Sequence, residues 1–322
     1  MRAAVITAFG GPENIEVKDV EQPTPRPGTV VVQVEAAGLN YYDVVERCGN
    51  FPDQPQPPLR AGVEGAGTVV SVAPDVSEPA VGDRVMWMHV PGSHAQFIEV
   101  PAIETIPLPE WLAFSDAAAV CVQGLTAHYL ANSVRTASAG DTALVWAAAG
   151  GVGRLLTQML TAKGVRVIAA TSNDVKAEAA REAGAVRAVT YADVEAAVKD
   201  VTAGAGVDVV YDGVGAPTFE AGLASLRSRG LLAVYGGAGG RLQPVDPWVL
   251  AAAGSVQFTR TRLHDFTTTR EELLTRAEEI IAGIRRGDLS VRIEATYALV
   301  DIAEAHRALE SRSTIGKIVV IP

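Results

Sequence analysis

The stretch Val145-Trp146-Ala147-Ala148-Ala149-Gly150-Gly151-Val152-Gly153 decides the fold. Thr142–Ala148 is short, apolar and partly β-branched, which predicts a strand; Gly153–Lys163 is apolar at helical spacing, which predicts a helix. A glycine-rich turn between strand and helix is the context of a dinucleotide fingerprint. Gly150 lets the backbone approach a diphosphate, and Gly153 lets the helix pack closely on the strand. The helix N-terminus then offers N–H groups and the positive end of its dipole to phosphates. Ala148 stands where the first glycine of the fingerprint is usual. The same residues also describe a tight strand–turn–helix that holds no ligand, so the motif alone leaves both readings open. The Lys-Ser/Thr ending of an ATP-binding loop is absent.

Downstream the pattern repeats. Arg166–Thr171, Val207–Asp212 and Gly230–Gly236 read as strands, and Asp174–Glu182 and Thr218–Arg227 as helices. Strand and helix in alternation predict a doubly wound parallel sheet. Ser255–Arg260 reads as a further strand at the edge of that sheet. An exposed edge must be charged, covered or paired, so the stretch near 255–260 is expected to pair with its twin in a twofold homodimer. Beyond it, Leu273, Leu274, Ala277, Ile280, Ile281 and Ile284 mark one face of an amphipathic helix. Thr268 with Glu271, or Thr269 with Glu272, is a candidate capping box, and Arg285-Arg286-Gly287 suits the other end. Gly316–Ile321 reads as a closing strand.

Upstream the pattern is different. Val30–Ala36, Gly67–Val72 and Gly82–Met86 are short β-like runs punctuated by Pro23, Pro25, Pro27-Gly28, Pro55, Pro57 and Pro58. They predict a compact β-barrel or sandwich with long loops. At roughly 100–200 residues per domain, the 322 residues suggest two domains.

Composition narrows the function. With 37 acidic against 27 basic residues the net charge is −10, which argues against binding nucleic acid through a broad basic face. No apolar run approaches the roughly 18 residues of a membrane span, and Met1–Ile6 lacks a signal-peptide pattern, so a cytoplasmic protein is expected. Cys48 and Cys121 are the two cysteines, too few for a disulfide framework or a four-cysteine metal site. They are read as free thiols, with one bridge between them formally possible. Among the five histidines, His89, His94, His128, His264 and His306, no pair has metal-ligand spacing, and no metal is expected. His128 reads as a packed or capping residue on a helix.

An NAD site usually places an acid at the end of the second strand, on the ribose 2′-hydroxyl. Here that strand ends Ala170-Thr171-Ser172-Asn173, with no carboxylate before Asp174. Ser172 and Lys176 are candidates for a 2′-phosphate instead, with Tyr191 after the third strand closing over it. NADPH is therefore the expected cofactor.

The motifs now resemble a known family. They are Ala36-Ala37-Gly38-Leu39-Asn40 with Asp43, Gly62-Val63-Glu64-Gly65-Ala66-Gly67, and Val81-Gly82-Asp83-Arg84-Val85. Further on come Gln123–Leu130, Ala147–Gly153, Val209–Gly215, Thr267–Leu273 and Gly316-Lys317. Together they resemble the zinc-free medium-chain dehydrogenase/reductases, in their NADPH:quinone oxidoreductase (zeta-crystallin-like) branch. Zinc-dependent members carry a ligand cysteine where this chain has Asn40, and Gly-His-Glu where it has Gly62-Val63-Glu64.

The resemblance implies a GroES-like β-barrel catalytic domain, from residues 1–121 and 264–322, plus a Rossmann NADP-binding domain of residues 122–263. It implies that Asn40 and Tyr41 are the candidate catalytic residues at the nicotinamide end, and that Thr126, Gly150, Gly151, Val152 and Gly153 hold the phosphates. Ser172, Lys176 and Tyr191 then surround the 2′-phosphate, and Val214, Tyr235, Gly236 and Lys317 complete the cofactor site. The implied reaction is zinc-independent hydride transfer from NADPH to a quinone or similar conjugated carbonyl. An NADPH-dependent enoyl or enone reductase, and an NADPH-binding sensor or structural protein without significant turnover, are the alternatives. The family often has tyrosines where this chain has Val45 and Phe51; Tyr41 and Tyr42 are expected to point in different directions.

Overall fold

The structure is a computed structural model that describes all 322 residues, Met1–Pro322. The chain opens with β1 (Arg2–Ile6), β2 (Ile15–Asp19) and β3 (Thr29–Leu39), followed by helix α1 (Tyr41–Arg47). Next come β4 (Leu59–Arg60), β5 (Glu64–Val72), β6 (Arg84–Met88), β7 (Phe97–Pro101) and β8 (Ile106–Pro107). Helix α2 (Phe114–Tyr129) leads into the alternating region: β9 (Thr142–Trp146), α3 (Gly151–Ala162), β10 (Arg166–Thr171), α4 (Asp174–Glu182), β11 (Arg187–Thr190), α5 (Val194–Thr202), β12 (Val207–Asp212), α6 (Phe219–Ala224) and β13 (Leu226–Val234). It closes with α7 (Pro247–Ala252), β14 (Gln257–Arg260), α8 (Arg270–Arg286), β15 (Ile293–Ala298), α9 (Ile302–Glu310) and β16 (Lys317–Ile321).

These elements form two compact units, one of Met1–Val122 with Val291–Pro322, the other of Gln123–Ser290. In the first, β15, β16, β3, β5, β6 and β8 lie in that order in a mostly antiparallel sheet, with β7 also paired to β3. Val30, Val32 and Val34 of β3 pack into a core with Val69, Trp87 and Ile98, and Val31 between them is buried on the other face. Tight approaches fix glycines here. A Cβ on Gly67 would lie 2.0 Å from the Gln33 carbonyl oxygen, so only glycine lets β5 meet β3 at that point.

In the second unit all five strand pairings are parallel, in the order β11-β10-β9-β12-β13-β14. This is the 3-2-1-4-5-6 order of dinucleotide-binding folds, and the order reverses between β9 and β12. Its strands are buried on both faces and correspondingly apolar, with Leu144, Trp146, Ile168, Val210, Leu232 and Val234 in one core cluster.

Two departures from the sequence reading change how the chain is organised. The helix expected over Thr218–Arg227 stops at Ala224, because Leu226 is buried and pairs with Val207 as the first residue of β13. The division expected at residue 264 falls at 290/291, and α8 belongs to the second unit. Arg276 of α8 donates to the Phe266 carbonyl (2.8 Å) and to Ser133 Oγ (2.9 Å), and Leu289 packs against Gly283. Amphipathic periodicity showed that α8 had an apolar face; it carried no information on which sheet that face covers. Thr269 caps α8, accepting from the Glu272 N–H, and Gly287 ends it at φ 81°.

Both cysteines are free, Cys121 buried and Cys48 half-buried. No helix is long and apolar enough to cross a membrane.

Candidate active site

The C-terminal ends of β9 and β12, where strand order reverses, are where an open α/β sheet accepts a ligand. At the end of β9 the chain turns through Ala147 (φ 53°) and enters α3 at Gly150, whose extended backbone makes it the N-cap. No side chain caps the helix, so the N–H groups of its first turn are left for something else to satisfy. The two key glycines act differently. A Cβ on Gly153 would fall 2.4 Å from the Ala147 carbonyl oxygen and 2.7 Å from Ala148 Cα, so glycine is required for the helix to reach the strand. A Cβ on Gly150 would meet only the Ala147 oxygen, at 3.3 Å; glycine there keeps the front of the helix bare. This is a cradle shaped for a diphosphate.

The neighbouring strand ends carry the other candidates. Ser172 is exposed directly after β10. Asn173 caps α4 by accepting the Lys176 N–H (3.0 Å), which places the half-buried Lys176 on the first turn of that helix. Tyr191 follows β11 and meets the Trp146 ring edge-on, centroids 5.1 Å apart. Because β9, β10 and β11 are adjacent, the Gly150 turn, Ser172 with Lys176, and Tyr191 form a row along one edge of the sheet. No carboxylate stands at the end of β10. That donor set fits NADPH, whose extra phosphate needs a hydroxyl and a cation where NAD needs an acid.

On the other side of the reversal, the buried Asp212 accepts from the N–H groups of Val214 (2.7 Å) and Gly215 (3.1 Å) and from Thr218 Oγ1 (2.8 Å). Burial raises its pKa and these bonds oppose the rise. The result is a rigid loop after β12. Gly213 lies under the Tyr235 ring, and a Cβ on Gly236 would lie 2.4 Å from the Gly213 carbonyl oxygen. Tyr235 and Gly236 are thereby packed on Gly213, and Val214, the next residue, packs on Gly239. Thr126 is buried on α2. His128, two residues on, is a bridging residue: Nε2 lies 2.7 Å from Glu279 and Nδ1 3.1 Å from Arg276.

In the first unit, Asn40 and Lys317 come together around Glu64, which the sequence shows only as part of a motif, and Tyr41 follows Asn40 as the first residue of α1. Asn40 N-caps α1, and its own N–H donates to Asp43 Oδ2 at 2.7 Å. Its side-chain nitrogen donates to Glu64 Oε1 (2.7 Å), and its side-chain oxygen accepts from Lys317 Nζ (2.9 Å). Lys317 Nζ also lies 2.5 Å from the same Glu64 oxygen. Burial pushes the Asp43 carboxyl up to about 7, against the pull of the Asn40 N–H and the Lys317 charge. His94, whose Nε2 lies 3.2 Å from the Gly38 carbonyl oxygen, is driven down to about 4 by burial. Tyr41 and Tyr42 occupy the first two positions of α1, pointing in directions about 100° apart. The exposed Tyr42 ring packs on Phe51 (centroids 4.5 Å) and faces His89 edge-on (6.5 Å). No three His, Cys, Asp or Glu side chains converge as metal ligands.

Comparison with known proteins agrees with this fold. Residues 26–110 match the Alcohol dehydrogenase GroES-like domain, and residues 151–279 the Zinc-binding dehydrogenase family. A curated quinone oxidoreductase of Pseudomonas aeruginosa is 37% identical over 318 residues, covering 98% of each chain. The chain belongs to the quinone oxidoreductase branch of the medium-chain dehydrogenase/reductase family. A 2-haloacrylate reductase of a Burkholderia species is 35% identical over 99% of this chain and 98% of its own. Among solved structures, the Escherichia coli quinone oxidoreductase complexed with NADPH superposes with a TM-score of 0.97 at 33% identity, covering all of both chains. One unit carries the uncapped helix and the row of 2′-phosphate candidates, and the other carries the buried Asn40–Glu64–Lys317 cluster.

Proposed function

We propose that this protein is an NADPH-dependent oxidoreductase that reduces a quinone or a similar conjugated carbonyl without a metal. The uncapped N-terminus of α3 behind Gly150, beside a β10 end that carries Ser172 and Lys176 and no acid, is the observation that carries the cofactor half. The acceptor half is supported by full-length similarity to the Pseudomonas quinone oxidoreductase. Bound NADPH supplies the hydride. The first turn of α3 takes the diphosphate, Ser172, Lys176 and Tyr191 take the 2′-phosphate, and Thr126, Val214, Tyr235 and Gly236 enclose the rest. Asn40, assisted by Tyr41, stabilises the negative charge that develops on the acceptor oxygen; such donors act through charge that appears only in the transition state. Lys317 acts with Asn40 through their hydrogen bond.

A second acceptor class is favoured by the 2-haloacrylate reductase similarity: an activated carbon–carbon double bond conjugated to a carbonyl or carboxylate. We further propose a homodimer that pairs the β14 edge, and a cytoplasmic location. The test is steady-state oxidation at 340 nm with NADPH and with NADH, against a panel of quinones and conjugated alkenes. NADPH-specific turnover with at least one quinone is expected. Tight NADPH binding without turnover on any acceptor would instead favour a sensor.

A further inference from the structure

Asn40 is held at both ends of its carboxamide by opposite charges, and this has a consequence for how it acts. Strands β16, β3 and β5 are neighbours, with Leu39 opposite Ile318 and Ala37 opposite Gly65. One residue further along each strand, that register brings Asn40 beside Lys317 and Gly38 beside Glu64. All three side chains are buried: Asn40 is 7% exposed, Glu64 0% and Lys317 3%. The ring of contacts closes as Nδ2 of Asn40 to Glu64 Oε1 (2.7 Å), Lys317 Nζ to the same oxygen (2.5 Å), and Lys317 Nζ to Asn40 Oδ1 (2.9 Å).

Glu64 is itself immobilised. Its second oxygen accepts the Val122 N–H at 2.8 Å. Gly38 makes the space: a Cβ there would stand 2.4 Å from Glu64 Oε1 and 2.6 Å from the Ala118 carbonyl oxygen. Asn40's backbone is fixed separately by Asp43. Glu64 and the Asn40 backbone are therefore each held by contacts of their own.

A carboxamide has a polar sense. With Oδ1 toward the ammonium and Nδ2 toward the carboxylate, both contacts are charge-assisted. Rotated by half a turn, the same group would set N–H against a cation and C=O against an anion, in a site with little water to screen either. Burying two charges is poor value for stability alone, since apolar residues of similar size often do as well. We propose that Glu64 and Lys317 are positioning residues that lock the Asn40 carboxamide in one of its two orientations, and so decide which edge of it meets the acceptor. The proposal rests on the reading of Asn40 as the group that meets the acceptor oxygen.

The chain has five asparagines, so selective ¹⁵N-asparagine labelling gives five side-chain amide pairs, and Asn40→Ala identifies the one that matters. In the wild type the Asn40 pair is expected outside the shift range of the other four and protected from solvent exchange. Glu64→Gln should bring it back into that range. Glu64→Gln with Lys317→Met removes both charges of the pair together, and in the folded variant should split the pair into two sets as both orientations become populated. Lys317→Arg, which keeps the cation, should restore a single set. In turnover the double variant should lose about ten-fold in kcat with the NADPH KM changed less than about two-fold, because orientation and not cofactor binding is lost. A single, unshifted Asn40 pair in the folded double variant would overturn the proposal. The spectra decide it whatever the protein reduces: expected spectra with no turnover on any acceptor would strike at the functional reading and leave the lock standing.

Discussion

Gly150 and Gly153 lie three residues apart in one turn, and the structure gives them separable jobs. Gly153→Ala forces a Cβ to within 2.4 Å of the Ala147 carbonyl oxygen, 2.7 Å of Ala148 Cα and 3.0 Å of the Ala147 carbonyl carbon. All three are backbone atoms, so no side chain can swing aside and α3 must lift from β9. Overpacking of this kind costs about 1–3 kcal/mol, and the backbone character of the clash puts it at the upper end. At about 2–4 °C per kcal/mol for a unit of this size, the apo protein should melt about 5–10 °C lower. Gly150→Ala meets one atom at 3.3 Å and should cost the apo protein under about 1 kcal/mol. Its methyl group instead occupies the mouth of the first helical turn. A thirty-fold weaker NADPH complex is about 2 kcal/mol. At NADPH one hundred times the wild-type Kd, the ligand stabilises wild type by about 2.7 kcal/mol, and would stabilise Gly150→Ala by only about 0.9 kcal/mol. Thermal melts with and without NADPH read both numbers. An unaltered NADPH response in Gly150→Ala, or an unaltered apo melt in Gly153→Ala, would refute the reasoning.

Further expectations follow from the same geometry. Lys176→Ala should weaken NADPH about ten-fold, or about 1.4 kcal/mol, and leave NADH unchanged; equal losses for both nucleotides in a fluorescence titration would remove Lys176 from the 2′-phosphate. Gly38→Ala, with its Cβ 2.4 Å from Glu64 Oε1 and 2.6 Å from a backbone oxygen, should destabilise by about 2 kcal/mol in urea, and an unchanged midpoint would contradict the packing around Glu64. Glu310→Ala strands the buried Arg47 guanidinium, which now makes two bonds to that carboxylate (2.9 and 2.7 Å), and should cost about 3 kcal/mol; a loss under about 1 kcal/mol would show the pair to be replaceable by water. Acid should weaken the fold. His94 (about 4) and His306 (lower still) are held below their ordinary 6.5 by burial, so below pH 6.5 the unfolded chain binds two protons that the native state refuses, and stability falls with pH. Asp43, raised from 3.8 to about 7, has the opposite sign: its contribution is full below pH 3.8 and is lost as pH rises through about 7. Between pH 4 and 6.5 these three groups leave a net slope of one proton, about 1.4 kcal/mol per pH unit, and Asp43→Asn should roughly double it; urea midpoints across that range that are parallel for the two proteins would refute the assignment.

Much of the second unit was legible because its determinants are local. The strand–turn–helix at Gly150, the strand Arg166–Thr171, the helix Asp174–Glu182 and the caps of α8 are written in periodicity, glycine placement and capping residues. The 2′-phosphate candidates were readable for the same reason, since each follows its own strand by one to five residues. The places where the reading stopped short depend on the tertiary fold. Leu226 could extend a helix or start a strand until its pairing with Val207 decided the matter. The apolar face of α8 is evident in sequence, and the unit it covers is not. Glu64 is the clearest case. It stood in view in Gly62-Val63-Glu64-Gly65, but its role comes from strands β16, β3 and β5 lying side by side, which joins residues 40, 64 and 317. The signals that could have found it were Gly38, a glycine near the end of β3 that marks a close approach, and a lysine opening an otherwise apolar terminal strand. Phe51 stands where the family often has a tyrosine; the structure places it against Tyr42, which keeps a hydroxyl at that aromatic cluster.

The most direct test of the central claim is a single turnover. The protein is loaded with one equivalent of NADPH without oxygen, mixed with excess 1,4-benzoquinone, and followed at 340 nm. The account predicts that the bound nucleotide is oxidised in one exponential phase, at a rate that saturates with quinone on the order of 1–1,000 per second. Bound NADPH that stays reduced, or decays no faster than free NADPH mixed with the same quinone, would contradict it.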